Sequence, residues 1–151
     1  MPYPGKTITL RQLVNSDTES VLEHINDAAV TRWTNIPYPY SRTIARSFIK
    51  EARAHYRKRK DFIFGIALPA SDTVVGMIGL HEIDWKNRQA ELGYWLGKNH
   101  WGKGIMTEAV QLTLSFGFLE MKLHKIHSRT FEENTASVKV YRRTASCRRV
   151  Y

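Results

Sequence analysis

The chain has 151 residues, 42% of them hydrophobic, which suits one domain with a buried core. It carries 23 Lys and Arg against 14 Asp and Glu, a net charge of +9, so its surface attracts polyanions and nucleic acid must be weighed as a partner. No run approaches the roughly 18 apolar residues of a membrane helix, Met1-Pro2-Tyr3-Pro4 lacks a basic-then-apolar secretion signal, and the single Cys147 cannot form an internal disulfide, which together predict a cytoplasmic chain.

Residues 7–13 form the first strand candidate. Ser16-Asp17-Thr18-Glu19 has capping-box spacing, with a Ser oxygen and a Glu three residues on serving the first amides of a helix. Val21, Leu22 and Ile25 make that helix amphipathic. A loop with Pro37 and Pro39 leads to a second helix from near Ser41 to about Arg57, on which Ile44, Phe48, Ala52 and Tyr56 are expected to face inward. Most of the cations from Arg53 to Lys60, with Arg46 and Lys50 upstream, then lie in water, as a solvated helix face or a polyanion patch. Residues 62–68 alternate Phe62, Phe64, Ile66 and Leu68 on one side, as a strand does. After a turn at 69–72 come a long strand at 74–85, a turn at Lys86-Asn87 and a strand at 88–96. A long helix reaches about Phe116, residues 124–131 read as a fifth strand, and Asn134 caps a last helix. The order β-α-α-β-β-β-α-β-α predicts an α+β fold with a mixed, mostly antiparallel sheet flanked by helices. The crossover helix demands a parallel return strand beside residues 88–96.

The segment from Gly93 to Ala109, GYWLGKNHWGKGIMTEA, says most about function. A strand enters a loop holding Gly102 and Gly104 around Lys103, and a helix follows with Ile105, Ala109, Leu112 and Phe116 on one face. Glycines admit a ligand close to the backbone, and the first helical amides point at it with the positive dipole end behind them, an arrangement suited to phosphate or pyrophosphate. A tight turn alone is the plainer reading of Gly-x-Gly. The P-loop pattern is not met, and a dinucleotide fingerprint needs a third glycine where Thr107 stands.

Gly93-Tyr94-Trp95-Leu96-Gly97, Trp101-Gly102-Lys103-Gly104 and Thr107-Glu108-Ala109 closely resemble the acetyl-CoA loop of GNAT-superfamily N-acetyltransferases, most of all the RimJ/RimL-like branch that acetylates ribosomal-protein N-termini. Ile8-Thr9-Leu10-Arg11 resembles that family's first strand, Val75-Gly76-Met77-Ile78-Gly79-Leu80 its third, and Asn134 to Tyr141 the start of its last helix. The resemblance implies a GNAT fold in which the strands flanking the crossover splay apart to hold the pantetheine arm of acetyl-CoA, with Gly93 permitting a bulge. It implies cofactor contacts from Tyr94, Trp95, Leu96, Trp101, Gly102, Lys103, Gly104, Ile105 and Asn134, the last of which also suits a plain helix cap. His100 is a further candidate at the CoA edge.

Acetyl transfer needs a neutral amine, a polarised thioester carbonyl and a proton for the leaving thiolate. Glu91, between Ala90 and Leu92 on the cleft strand, is the candidate base; its plainer reading is an exposed strand carboxylate or ion-pair partner. Glu82 is the reserve. Backbone amides around Tyr94 to Leu96 are suited to steady the oxyanion. Tyr141 is the candidate acid, and Ser137 is the hydroxyl more common at this task in the RimJ/RimL-like branch. His81, His124 and His127 show no metal spacing, so no metal is expected. Trp85, Trp95 and Trp101 read as packing residues rather than a base-stacking platform.

The resemblance stops after about residue 143. The family pattern continues with Gly-Phe opening a strand and then one more strand, whereas this chain reads Arg142 to Tyr151, RRTASCRRVY. The last two strands are expected to be missing from this single domain. Thr-Ala-Ser encoded as ACG-GCT-TCN contains GGC-TTC, Gly-Phe, in another frame, so a frameshifted or prematurely ended gene is one origin; a short form completing its sheet with a partner chain is another. An edge strand left open at 124–131 favours homo-oligomers. The expected activity is transfer of the acetyl group of acetyl-CoA to a primary amine. The acceptor stays open between a protein N-terminus (a ribosomal protein among them), an aminoglycoside, a polyamine and an amino acid. The rivals are a non-catalytic acyl-CoA-binding module and, more remotely, a nucleic-acid-binding domain, for which no RNA-recognition motif is visible.

Overall fold

The computed structural model describes residues 2–32, 36–130 and 149–150. Its frame is a six-stranded sheet in the order β1 (Tyr3–Pro4), β2 (Thr9–Arg11), β3 (Phe62–Leu68), β4 (Thr73–Asp84), β5 (Gln89–Leu96), β6 (Lys125–His127). Neighbours run antiparallel up to β5. β5 and β6 are parallel, as the crossover through helix α4 (Ile105–Ser115) requires. Beyond β6, β7 (Arg129–Thr130) pairs in parallel with β8 (Arg149–Val150) as a separate two-stranded sheet. This is the mixed α+β architecture expected from the element order.

Each face of the sheet carries its own core. Ile8, Leu10, Phe62, Phe64, Ile66, Ile78, Leu80, Ala90, Leu92 and Leu96 pack with Ile105, Met106, Ala109, Val110 and Phe116 from α4 and its continuation. Phe64 and Phe116 meet edge-on at 5.2 Å between ring centres, and Phe62 and Phe116 at 5.3 Å, the geometry that sets a positive ring edge against a negative face. The opposite face gathers Val21 and Ile25 of α1 (Thr18–Ile25), Val30 of the short α2 (Ala28–Thr31), and Ala45 and Ile49 of α3 (Arg42–Arg57). These pack on Val74, Met77 and Trp95.

Three local differences from the sequence reading have physical causes. α3 is capped by Ser41, whose Oγ accepts from the Ile44 amide at 3.1 Å, but it turns Ala45, Ile49 and Ala52 inward. Ile44 and Phe48 are left 40% and 36% exposed. Small alanines let the helix lie close to the sheet, which a stripe containing Phe48 would hold away. Ser16 is not the helix cap either. The buried Asp17 takes the Val14 amide at 2.8 Å and both terminal nitrogens of Arg11 at 2.9 Å, tying β2 to the start of α1. The fifth strand is interrupted at Ser128, and that break shapes the site.

Candidate active site

The pairing of β5 with β6 covers only Gln89↔Lys125, Ala90↔Ile126 and Glu91↔His127. The main-chain bonds of β5 reveal which way its residues turn beyond that point. The Arg88 carbonyl accepts from the His124 amide at 2.6 Å, and the Gly97 amide donates to Val75 on β4 at 2.8 Å. The Leu92 carbonyl accepts from Ser128 Oγ at 3.0 Å and the Leu96 carbonyl from Trp101 Nε1 at 2.7 Å. Alternation along an extended strand therefore turns the main chain of even-numbered residues toward the β6 side, Tyr94 included, and that of odd-numbered residues toward β4. Ser128, itself 2% exposed, closes the apex of a wedge that opens along Gly93 to Leu96.

The wedge runs toward the glycine loop. Gly102 and Gly104 have φ of +75° and +78°, a left-handed region that costs any residue with a Cβ, and nothing lies within 4 Å of where either Cβ would stand. The glycines are thus required by backbone conformation and leave open space in front of the helix. α4 starts directly after Gly104, which supplies no capping side chain. The amides of Ile105, Met106 and Thr107 precede the first intrahelical bond, from the Glu108 amide to the Gly104 carbonyl at 3.1 Å. Glu108, the one acid in that first turn, is committed elsewhere: its carboxylate accepts from the Thr7 hydroxyl at 2.7 Å and the Thr7 amide at 3.1 Å. The helix start keeps its positive character for an anion. Trp101, through its bond to Leu96, fastens the loop to the end of β5.

A second side of the site lies on the face covered by α1 and α3. His81, Glu91 and His127 are cross-strand neighbours on β4, β5 and β6, and directly opposed residues share a face. Ligand atoms of His81, Glu82 and Glu91 all lie within 4.8 Å of one another. Glu82 occupies an irregularity in the β4–β5 register and has φ of +50°. The expected bulge thus belongs to β4, not to Gly93, which is in regular register with Gly79. Gly93 serves another purpose: a Cβ there would stand 3.0 Å from His81 Nε2, so the glycine makes room for the imidazole. Nearer the loop, His24 of α1 lies against Gly97 and its ring is 5.5 Å from that of His100. Burial, then His24 and Lys103, hold the His100 imidazole below the ordinary histidine range.

A family model described as an acetyltransferase (GNAT) domain matches residues 7–145, which include β2 to β6 and the glycine loop. The chain belongs to the GNAT acetyltransferase family. Among GNAT relatives, the uncharacterised N-acetyltransferase p20 of Bacillus licheniformis is 35% identical over 133 residues, covering 88% of this chain and 75% of p20. The solved structure of MccE, the microcin C7 self-immunity acetyltransferase in complex with acetyl-CoA and AMP, aligns with a TM-score of 0.78 at 25% identity, over 93% of this chain and 78% of that one. RimL, a ribosomal L7/L12 α-N-protein acetyltransferase in complex with coenzyme A, aligns with a TM-score of 0.86 over 95% of this chain and 82% of its own; at 21% identity that likeness speaks for the fold.

Tyr94 and Leu96 turn their main chain to the side of β5 left unpaired beyond Glu91, and Trp101, Gly102, Lys103, Gly104 and Ile105 follow in the loop and helix start. Trp95 turns its side chain into the core beneath α1 and α3, and Leu96 and Ile105 bury theirs beneath α4. Lys103 is exposed in the loop. Asn134, Ser137 and Tyr141 lie outside the described residues. His81 is the residue that sequence reading weighed only for metal binding, and His24 was not singled out at all. The hairpin turn at Lys86-Asn87 and the Gly79/Gly93 pair were the available signals for His81, but the irregularity at Glu82 had to be known to use them.

Proposed function

We propose that this GNAT enzyme transfers the acetyl group of acetyl-CoA to a primary amine by direct attack within a ternary complex. The amine is that of a protein N-terminus, ribosomal proteins included, or of a small molecule. The observation that carries this reading is the divergence of β5 from β6 beyond Glu91, leading into the left-handed glycines in front of α4. In it, the first-turn amides and Lys103 hold the pyrophosphate, the pantetheine arm lies along Tyr94 to Leu96, and gap-facing main-chain amides there polarise the thioester carbonyl. Glu91 and its neighbours on the helix-covered face supply the basic end. Asn134 is assigned to the pantetheine, and Tyr141 or Ser137 to protonation of the thiolate.

A calorimetric titration with acetyl-CoA tests this, with Gly104→Asp as the partner experiment. The wild-type chain is expected to bind in the micromolar range, and the variant, which combines left-handed strain with a charge facing the phosphates, to lose affinity by at least about tenfold. Thiol release across a panel of amines then reads turnover. Binding with no turnover on any amine would be the behaviour of a non-catalytic module and would overturn the enzymatic reading.

A further inference from the structure

The cluster on the helix-covered face contains three groups able to accept a proton, and their positions along the strands are not equivalent. Glu91 is the last residue of β5 still paired with β6, through His127. It therefore sits at the closed apex of the wedge. His81 lies directly across from Glu91 on β4, but its ring leans along the sheet over Gly93, where Nε2 stands 3.0 Å from the site of a Cβ. Two residues of strand separate Glu91 from Gly93, about 7 Å. Nε2 thus stands over Gly93, past the apex and one residue before Tyr94, the first position beyond Leu92 whose main chain faces the gap. Glu82, on the irregular turn of β4, is exposed and lies on the solvent side of the same cluster.

We propose that His81 is the residue that takes the proton from the acceptor amine, and that Glu91, directly across the strand pair, is a positioning residue for the imidazole. This rests on the acetyl-transfer reading above and identifies the proton-accepting atom within it. An acceptor arriving as an ammonium ion gives one proton to His81 Nε2. The freed lone pair forms the C–N bond with the thioester carbon while the carbonyl electron pair moves to oxygen, where gap-facing amides receive it. The carbonyl then re-forms, the C–S bond breaks with its pair on sulfur, and the second nitrogen proton ends on that sulfur. The products are the N-acetyl amide, the free thiol and one proton, which His81 returns to water. Gly93 gives the ring its place. A larger residue at 93 would displace it.

The test compares His81→Gln, His81→Ala and Glu91→Gln with the wild-type enzyme on one accepted amine, and measures acetyl-CoA affinity for each. His81→Gln is expected to lower kcat about 10²- to 10⁴-fold with acetyl-CoA affinity unchanged. Added imidazole is expected to restore part of the kcat of His81→Ala and none of that lost in Gly104→Asp, a rescue that a purely structural role for His81 does not give. Glu91→Gln should lose about 10- to 100-fold, and imidazole should not help it. A wild-type kcat in His81→Gln, or a loss that imidazole cannot restore in a variant still binding acetyl-CoA, overturns the assignment while leaving the acetyl-transfer reading intact. A wild-type chain that binds acetyl-CoA but acetylates no amine overturns both.

Discussion

Single side chains in this protein act mainly by holding backbone in place. Arg11 is a case where one residue joins three segments: it meets Asp17 with two bonds of 2.9 Å, and Asp72 at 2.8 Å through the side chain and 3.0 Å through the carbonyl. Hydrogen bonding to Asp17 raises the Arg11 pKa further above its usual value, against the opposing effect of burial and with help from Asp72. The Arg11–Asp17 pair is largely shielded, with side-chain exposures of 16% and 7%, so removing one partner strands the other rather than freeing it. Asp17→Asn is expected to cost about 2–4 kcal/mol in urea denaturation, because the guanidinium loses its counter-charge and the Val14 amide meets a weaker acceptor. Asp72→Asn, whose side chain is 73% exposed, should cost under about 1 kcal/mol. The sequence displayed both acids but not the difference between them, which is a matter of burial.

At the scale of elements, α3 separates what pattern reveals from what packing decides. Its limits were legible: Ser41 is an N-cap by its residue type, and the apolar period held to Arg57. Its orientation was not, because Ile44-Phe48-Ala52 and Ala45-Ile49-Ala52 are both spaced for a helical stripe and share a member. Shape chose the second, with Ile49 1% exposed against 40% for Ile44. Ile49→Ala should therefore destabilise the fold by about 2–5 kcal/mol, while Ile44→Ala stays within about 0.5–1 kcal/mol. Equal effects in thermal or urea unfolding would mean the helix sits in the other rotation. α4 was read more fully, since Ile105, Ala109 and Phe116 are buried and Leu112 half-buried on the face their spacing predicts. The Met106, Val110 and Thr113 side is buried as well, because the helix lies deep against the sheet. There Thr113 bonds back to the Ala109 carbonyl at 2.8 Å.

The whole molecule brings distant segments to the mouth of the wedge, and the electrostatics there belong to none of them alone. His100 comes from the loop and His24 from α1, and the depressed pKa of His100 follows from burial first and then from the company of His24 and Lys103. A bound polyanion reverses that company's effect and favours the imidazolium. Binding of acetyl-CoA should then draw a proton onto the protein, so the His100 contribution to affinity grows as pH falls through the imidazole range and is lost as pH rises above it. The expected contribution is about two- to fivefold between pH 8 and pH 6, given the exposure of the site. Calorimetry in buffers of different ionisation enthalpy measures the proton uptake directly, and His100→Asn should reduce it. A net charge of +9 adds a long-range attraction for the same ligand. Among the described residues no helix is long and apolar enough to cross a membrane, which agrees with the composition.

The strand and helix periods and the order of elements were enough to predict the α+β class, because these are local regularities that the chain repeats wherever it is placed. The family was legible as the resemblance of Gly93 to Gly97, Trp101 to Gly104 and Thr107 to Ala109 to the acetyl-CoA loop of GNAT acetyltransferases. Which groups face each other across the sheet was decided only in three dimensions. In the turn-proximal register Asp84 pairs with Gln89, and continuing it evenly would set Glu82 opposite Glu91 and turn His81 to the α4 core. The irregularity between His81 and Asp84 shifts the pairing by one residue, so that His81 meets Glu91 instead. Since strand side chains alternate, a shift of one exchanges the two faces. No local period encodes that exchange. It belongs to the irregularity of β4 at Glu82, and it places the imidazole on the same face as Glu91.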